Sequence, residues 1–67
     1  MNILINGKPF RLEDNSNLIA VLDKNQINNK FGIAIAVNNN VIPKTEWEKY
    51  TVQNNDNITI INAIFGG

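Results

Sequence analysis

The apolar residues of this chain change their spacing along its length, and the changes mark out the elements. In "NILINGKPFRLED", Ile3 and Ile5 alternate with polar or outward positions, and Phe10 and Leu12 do the same further on. A spacing of two is that of a strand with one face buried. Between the two runs stands Asn6-Gly7, the pair best suited to a two-residue hairpin turn, because both turn positions need positive φ. Pro9 has no N–H to give to a ladder, which places the second strand at a sheet edge. In "NSNLIAVLDKNQI" the spacing becomes that of a helix: Leu18, Val21 and Leu22 stand at i, i+3 and i+4. Asn17 is the expected N-cap and Asn25 the expected end, in a left-handed conformation. The spacing predicts a short helix over residues 18–24 that needs tertiary packing to persist, with Ile19 at the border of its apolar stripe.

After a loop at "NNKFG", "IAIAV" returns to period two, with Ile33, Ile35 and Val37 on one face and alanines on the other. Asn38-Asn39-Asn40 turns the chain, and "VI" begins a return strand that Pro43 interrupts. "KTEWEKY" fits an irregular or short 3₁₀ segment in which Trp47 and Tyr50 cover one end of the core. Asn54-Asn55-Asp56 is a further turn, and 57–64 a last strand. Ile58 and Ile60 share one of its faces; Thr59, Ile61, Ala63 and Phe65 share the other. A strand apolar on both faces belongs at a sheet centre, and the isoleucine content of both places it parallel to the first strand. The predicted order is β-β-α-β-β-β, an α+β fold with a mixed sheet of about five strands and one helix packed on one face.

Composition narrows what such a domain can do. Sixty-seven residues make one domain, here spanning 1–67, with a thin core. There is no cysteine and no histidine, which removes disulfides, thiolate zinc sites and the commonest general base. Six basic and six acidic residues cancel; no Lys/Arg cluster suggests nucleic acid, and no apolar run approaches the ~20 residues of a membrane helix. A cytoplasmic protein is expected. The many asparagines fit turn chemistry. Glu13, Asp14, Glu46 and Glu48 fall in turn-like or surface settings, and neither a nucleophile–base pair nor a metal site can be assembled from their spacing. No enzyme is expected from this chain alone, with no catalytic residue, no metal and no bound cofactor.

What remains is the ending, "AIFGG". At glycine's average frequency of roughly 7%, a terminal pair arises in about one chain in two hundred. A remnant of a glycine-rich linker is the competing explanation, but the pair follows directly on a predicted strand. The reactive group there is the α-carboxylate of Gly67. A carboxylate has a poor leaving group; joined to AMP it becomes an acyl-adenylate that a thiol, amine or persulfide can attack. To reach the α-phosphate of ATP inside another protein, the chain must be slender. Gly66 and Gly67 have no Cβ to obstruct a channel, and Phe65 is the last side chain able to anchor a flexible tail, 65–67.

These features resemble a known family. "AVNNNVIPKTEW" followed by "VQNNDNITIINAIFGG" is similar to the ThiS family, the ubiquitin-like β-grasp sulfur carriers of thiamine biosynthesis. The similarity spans nearly the whole chain. It includes the "AVN" strand end, Val41-Ile42-Pro43-Lys44, Trp47, an acidic turn before the last strand, and terminal Gly-Gly. Where the family usually has Gly-Asp in that turn, this chain has Asn55-Asp56; Asn tolerates a left-handed conformation, so the same turn is expected at slightly higher cost. The resemblance implies a β-grasp fold and a division of labour. A ThiF-type activating enzyme, related to the ubiquitin-activating proteins, adenylates Gly67 with ATP and magnesium. A persulfide donor converts it to a thiocarboxylate, and a ThiG-type thiazole synthase takes the sulfur.

The strand parity adds a docking surface. If the isoleucine face is turned to the helix, Leu4, Ala34, Ala36, Ile61, Ala63 and Phe65 line the opposite side, a flat apolar patch beside the tail. A modestly apolar outer face with no partner is the plainer reading. Three other functions share these features: the small subunit of molybdopterin synthase, a ubiquitin-like protein modifier, and a passive binding module. The first tends to be longer and to carry proline shortly before its glycines, where this chain has Asn62-Ala63-Ile64-Phe65.

Overall fold

The computed structural model describes residues 1–25, 27 and 31–62. The elements are β1 (Asn2–Ile5), β2 (Lys8–Arg11), α1 (Leu18–Lys24), β3 (Ile33–Val37), β4 (Asn40–Ile42), a 3₁₀ turn (Lys44–Glu46) and β5 (Asn57–Asn62). They form one five-stranded sheet in the order β2-β1-β5-β3-β4. β1 and β5 are parallel; the other neighbours are antiparallel. The strand apolar on both faces is thus central, and the strand containing Pro9 lies at an edge, where its missing N–H leaves no ladder bond unmade. This is the β-grasp arrangement.

Turn chemistry fixes the registers. Asn6 and Gly7 have φ of 50° and 81°, and Asn38 and Asn39 have 50° and 72°. Two-residue turns with both φ positive match the twist of the strands they join. They set Ile5 opposite Lys8 and Val37 opposite Asn40. Among the described residues, five asparagines adopt positive φ, a conformation this residue tolerates better than most.

The helix ends are built differently. Asn17 is extended, and its Oδ1 accepts the Ala20 N–H at 3.0 Å, as an N-cap does. Asn25 departs from the left-handed ending expected of it, with φ −91° and ψ 7°. Its Nδ2 donates to the Val21 carbonyl at 3.1 Å, and the Ile27 N–H closes on the Leu22 carbonyl at 2.9 Å. The side-chain bond and this longer loop-back bond satisfy terminal carbonyls without a left-handed residue at that position.

Leu18, Val21 and Leu22 are fully buried against Ile3, Ile5, Ile35, Val37 and Ile58, with Leu12, Trp47 and Val52 completing the core. Ile33, Ile60, Ile19 and Tyr50 are half-buried around it. Trp47 sits deeper than a cover: it belongs to the core itself, and its indole Nε1 donates to the Ile42 carbonyl at 2.8 Å. Burying a large ring is favourable only when its N–H finds such a partner.

Candidate functional site

The chain's chemistry was expected at its carboxyl end, so the strand leading there sets the site. β5 is anchored at its start on both sides. The Asn55 N–H donates to the Asn2 carbonyl at 2.6 Å, and the Asn2 N–H donates to Asn54 Oδ1 at 2.8 Å. Asn55 takes φ 71°, the left-handed conformation expected where the family usually places glycine. Toward β3, Asn38 gives its N–H to the Asn57 carbonyl at 2.8 Å and accepts the Asn57 N–H on Oδ1 at 2.9 Å.

Asp56 holds this corner together. It is only 5% exposed, and a buried carboxylate is costly unless its oxygens are bonded. Oδ1 accepts from Asn38 Nδ2 at 3.0 Å and Oδ2 from the Gln53 N–H at 2.8 Å. The sequence marks Asp56 as a turn residue; its burial follows from contacts with position 38, which a turn signature does not carry. Tyr50 lies at the rim of the core, and its phenol is pushed above the ordinary value of 10.0, first by burial and then by the negative charge of Asp56. Glu13, Asp14, Glu46 and Glu48 are exposed, and Asp14 lies 3.6 Å from the terminal ammonium. No group of three acidic side chains among the described residues could hold a metal ion. Nor is any helix of the described residues long and apolar enough to cross a membrane.

The face of the sheet away from α1 carries Leu4, Ala34, Ala36 and Ile61 of the proposed docking residues. Leu4 stands beside Asn57 on β5 and Pro9 on β2. Ala34 pairs with Ile61, and Ala36 with Thr59 and Val41. Leu4 and Ile61 are exposed. Ala36 is on this face but only 8% exposed; a methyl group between longer neighbours forms a floor and offers little area. Val41, at 69% exposure, offers far more and was not singled out from the sequence. The signal was there: a two-residue turn at Asn38-Asn39 forces Val41 opposite Ala36. A shallow depression bordered by Leu4, Pro9 and Asn55 opens on the same side. Ala63, Phe65, Gly66 and Gly67 lie outside the described residues, as do positions 28–30 of the expected loop and the last residues of the expected strand.

Known proteins share this fold and sequence. The solved structure of a ThiS thiamine biosynthesis protein from Geobacter metallireducens matches with a TM-score of 0.83 at 22% identity, over 100% of both chains. An NMR solution structure of a thiamine biosynthesis protein from the same organism matches at 0.77 and 22% identity, over 100% of this chain and 88% of that one. These two likenesses concern the fold. In sequence, the sulfur carrier protein ThiS of Escherichia coli K12 is 34% identical over 50 residues, covering 75% of this chain and 70% of that protein. The sequence model of the ThiS family matches residues 3–67, both terminal glycines included. The chain belongs to the ThiS family.

Proposed function

We propose that this chain is a sulfur carrier for the thiazole of thiamine, acted on by partner enzymes and supplying no catalytic group of its own. One observation carries the reading: the family match extends from residue 3 to the end of the chain and takes in Gly66 and Gly67. A ThiF-type activating enzyme binds ATP and magnesium. The Gly67 carboxylate attacks the α-phosphate, pyrophosphate leaves, and an acyl-adenylate forms. A sulfur nucleophile, drawn from a persulfide donor, then attacks the acyl carbon and AMP leaves. Cleavage of the persulfide S–S bond by a thiol leaves a thiocarboxylate, whose sulfur a ThiG-type thiazole synthase takes. Gly67 is the modified residue. Gly66 lets the backbone enter a narrow channel, and Phe65 is the last side chain available to anchor the tail. Leu4, Ala36, Ile61, Ala63 and Phe65 are the docking residues in this reading, and the exposure of Val41 supports including it. The work is done in the cytoplasm.

Intact-mass measurement tests this. The chain is incubated with the activating enzyme, ATP, magnesium and a persulfide source. The expected product is heavier by one sulfur less one oxygen, with the change on Gly67. No mass change, or the same gain in a chain lacking Gly67, overturns the proposal.

A further inference from the structure

β1 ends at Ile5, while its parallel neighbour β5 continues to Asn62. At Asn6 the backbone turns left-handed, with φ 50°, and leaves for β2. Its hold on β5 nevertheless persists. The Asn6 N–H donates to the Ile58 carbonyl at 2.9 Å, and Asn6 Oδ1 accepts the Ile60 N–H at 2.8 Å. In an uninterrupted parallel ladder the acceptor for Ile60 is the main-chain carbonyl of residue 6. The turn swings that carbonyl away, and the side-chain carbonyl takes its place. One residue thereby grips β5 from two successive even positions.

We propose that Asn6 is a positioning residue for the carboxyl terminus. Its carboxamide extends the β1 side of the ladder by one bond, so β5 is held on that side as far as Ile60 while β3 pairs its other side up to Asn62. The reacting end follows β5 in the chain, so the added bond steadies the strand from which the Gly67 carboxylate is offered to the activating enzyme. This rests on the sulfur-carrier reading. Position 6 must satisfy two demands at once, a positive φ and an acceptor one side chain long. Asn and Asp meet both. Gly meets only the first.

Asn6→Gly therefore separates the acceptor from the turn. Two quantities are measured: amide exchange at Ile60, and kcat and KM for ATP-dependent adenylation by the activating enzyme. A neutral hydrogen bond is worth ~1 kcal/mol, so Ile60 should exchange roughly fivefold faster and kcat should fall by a similar factor. KM should stay within about twofold, since the open face is untouched and only the hold on the strand before the reacting end has changed. Asn6→Asp should restore both quantities. Asn6→Ser, too short to reach Ile60, provides a second acceptor-free variant should Asn6→Gly not fold. An unchanged kcat in both acceptor-free chains overturns the inference. So does an Asn6→Asp chain as slow as they are, because the turn and not the acceptor would then matter. If the unaltered chain is never adenylated, the sulfur-carrier reading fails by itself, and the grip on β5 stands or falls on Ile60 exchange.

Discussion

Ile58 and Ile61 are the same residue on the same strand, three positions apart. Ile58 is 0% exposed and Ile61 47%. Side chains alternate across a sheet, so an odd offset sends the second isoleucine to the other face. One face meets α1 and becomes the core; the other has no layer over it among the described residues. β3 follows the same division, with Ile33, Ile35 and Val37 toward the helix and Ala34 and Ala36 away. Small residues keep the open side flat, while Leu4, Val41 and Ile61 keep it apolar. The comparison separates two settings of apolar surface: one is buried and holds the fold, and the other is exposed.

The sharpest way to break the comparison is to truncate both isoleucines. Ile58→Ala removes buried methyl groups from a core that also holds Leu18, Val21 and Leu22. It should cost about 2–5 kcal/mol in urea unfolding, from lost burial plus the cavity left behind. Total stability of small domains is only about 5–15 kcal/mol, so this is a large fraction of what holds the fold. Ile61→Ala costing as much would mean that both faces serve the fold, and the distinction between them would fail.

Next in size is Ile61→Asp. A charge at an exposed sheet position costs about 1 kcal/mol or less in stability, set by strand propensity and not by burial. Its main effect should fall on adenylation, through a higher KM for the activating enzyme. Undiminished thiocarboxylate formation in a folded Ile61→Asp chain would show that the open face has no docking role.

Parity and turn chemistry explain why so much of this architecture was visible beforehand. Asn6-Gly7, Pro9, the Leu18-Val21-Leu22 stripe and the alternation in "IAIAV" are local signals, and each fixed an element or an edge. What was hidden depends on particular side-chain contacts that no local pattern announces. Asp56 is buried because Asn38 meets it across 18 positions. Trp47 lies in the core with its N–H satisfied by the Ile42 carbonyl. Asn25 ends the helix through its side chain, a choice among endings that the residue type permits equally. At the open face, residue polarity identified Leu4 and Ile61 but could not tell that Ala36 would be sunk between Thr59 and Val41.

The smallest effect lies at the rim of the covered face, where Tyr50 meets the core beside Asp56's charge. Both influences favour the neutral phenol: burial, which is the larger, and the Asp56 carboxylate. The folded chain therefore holds this proton to higher pH than the unfolded chain does. The resulting contribution to stability is whole below 10.0 and is lost as pH rises through the folded pKa. Tyr50 is the single tyrosine, so phenolate absorbance follows it alone, and the folded midpoint should lie above 10.0. Added salt screens charge but does not undo burial. Raising ionic strength should lower the midpoint only part of the way, leaving the contribution of burial. A midpoint that falls all the way to the ordinary value in salt would show that charge dominates. Tyr50 would then belong with the solvated surface, and the covered face would end short of it.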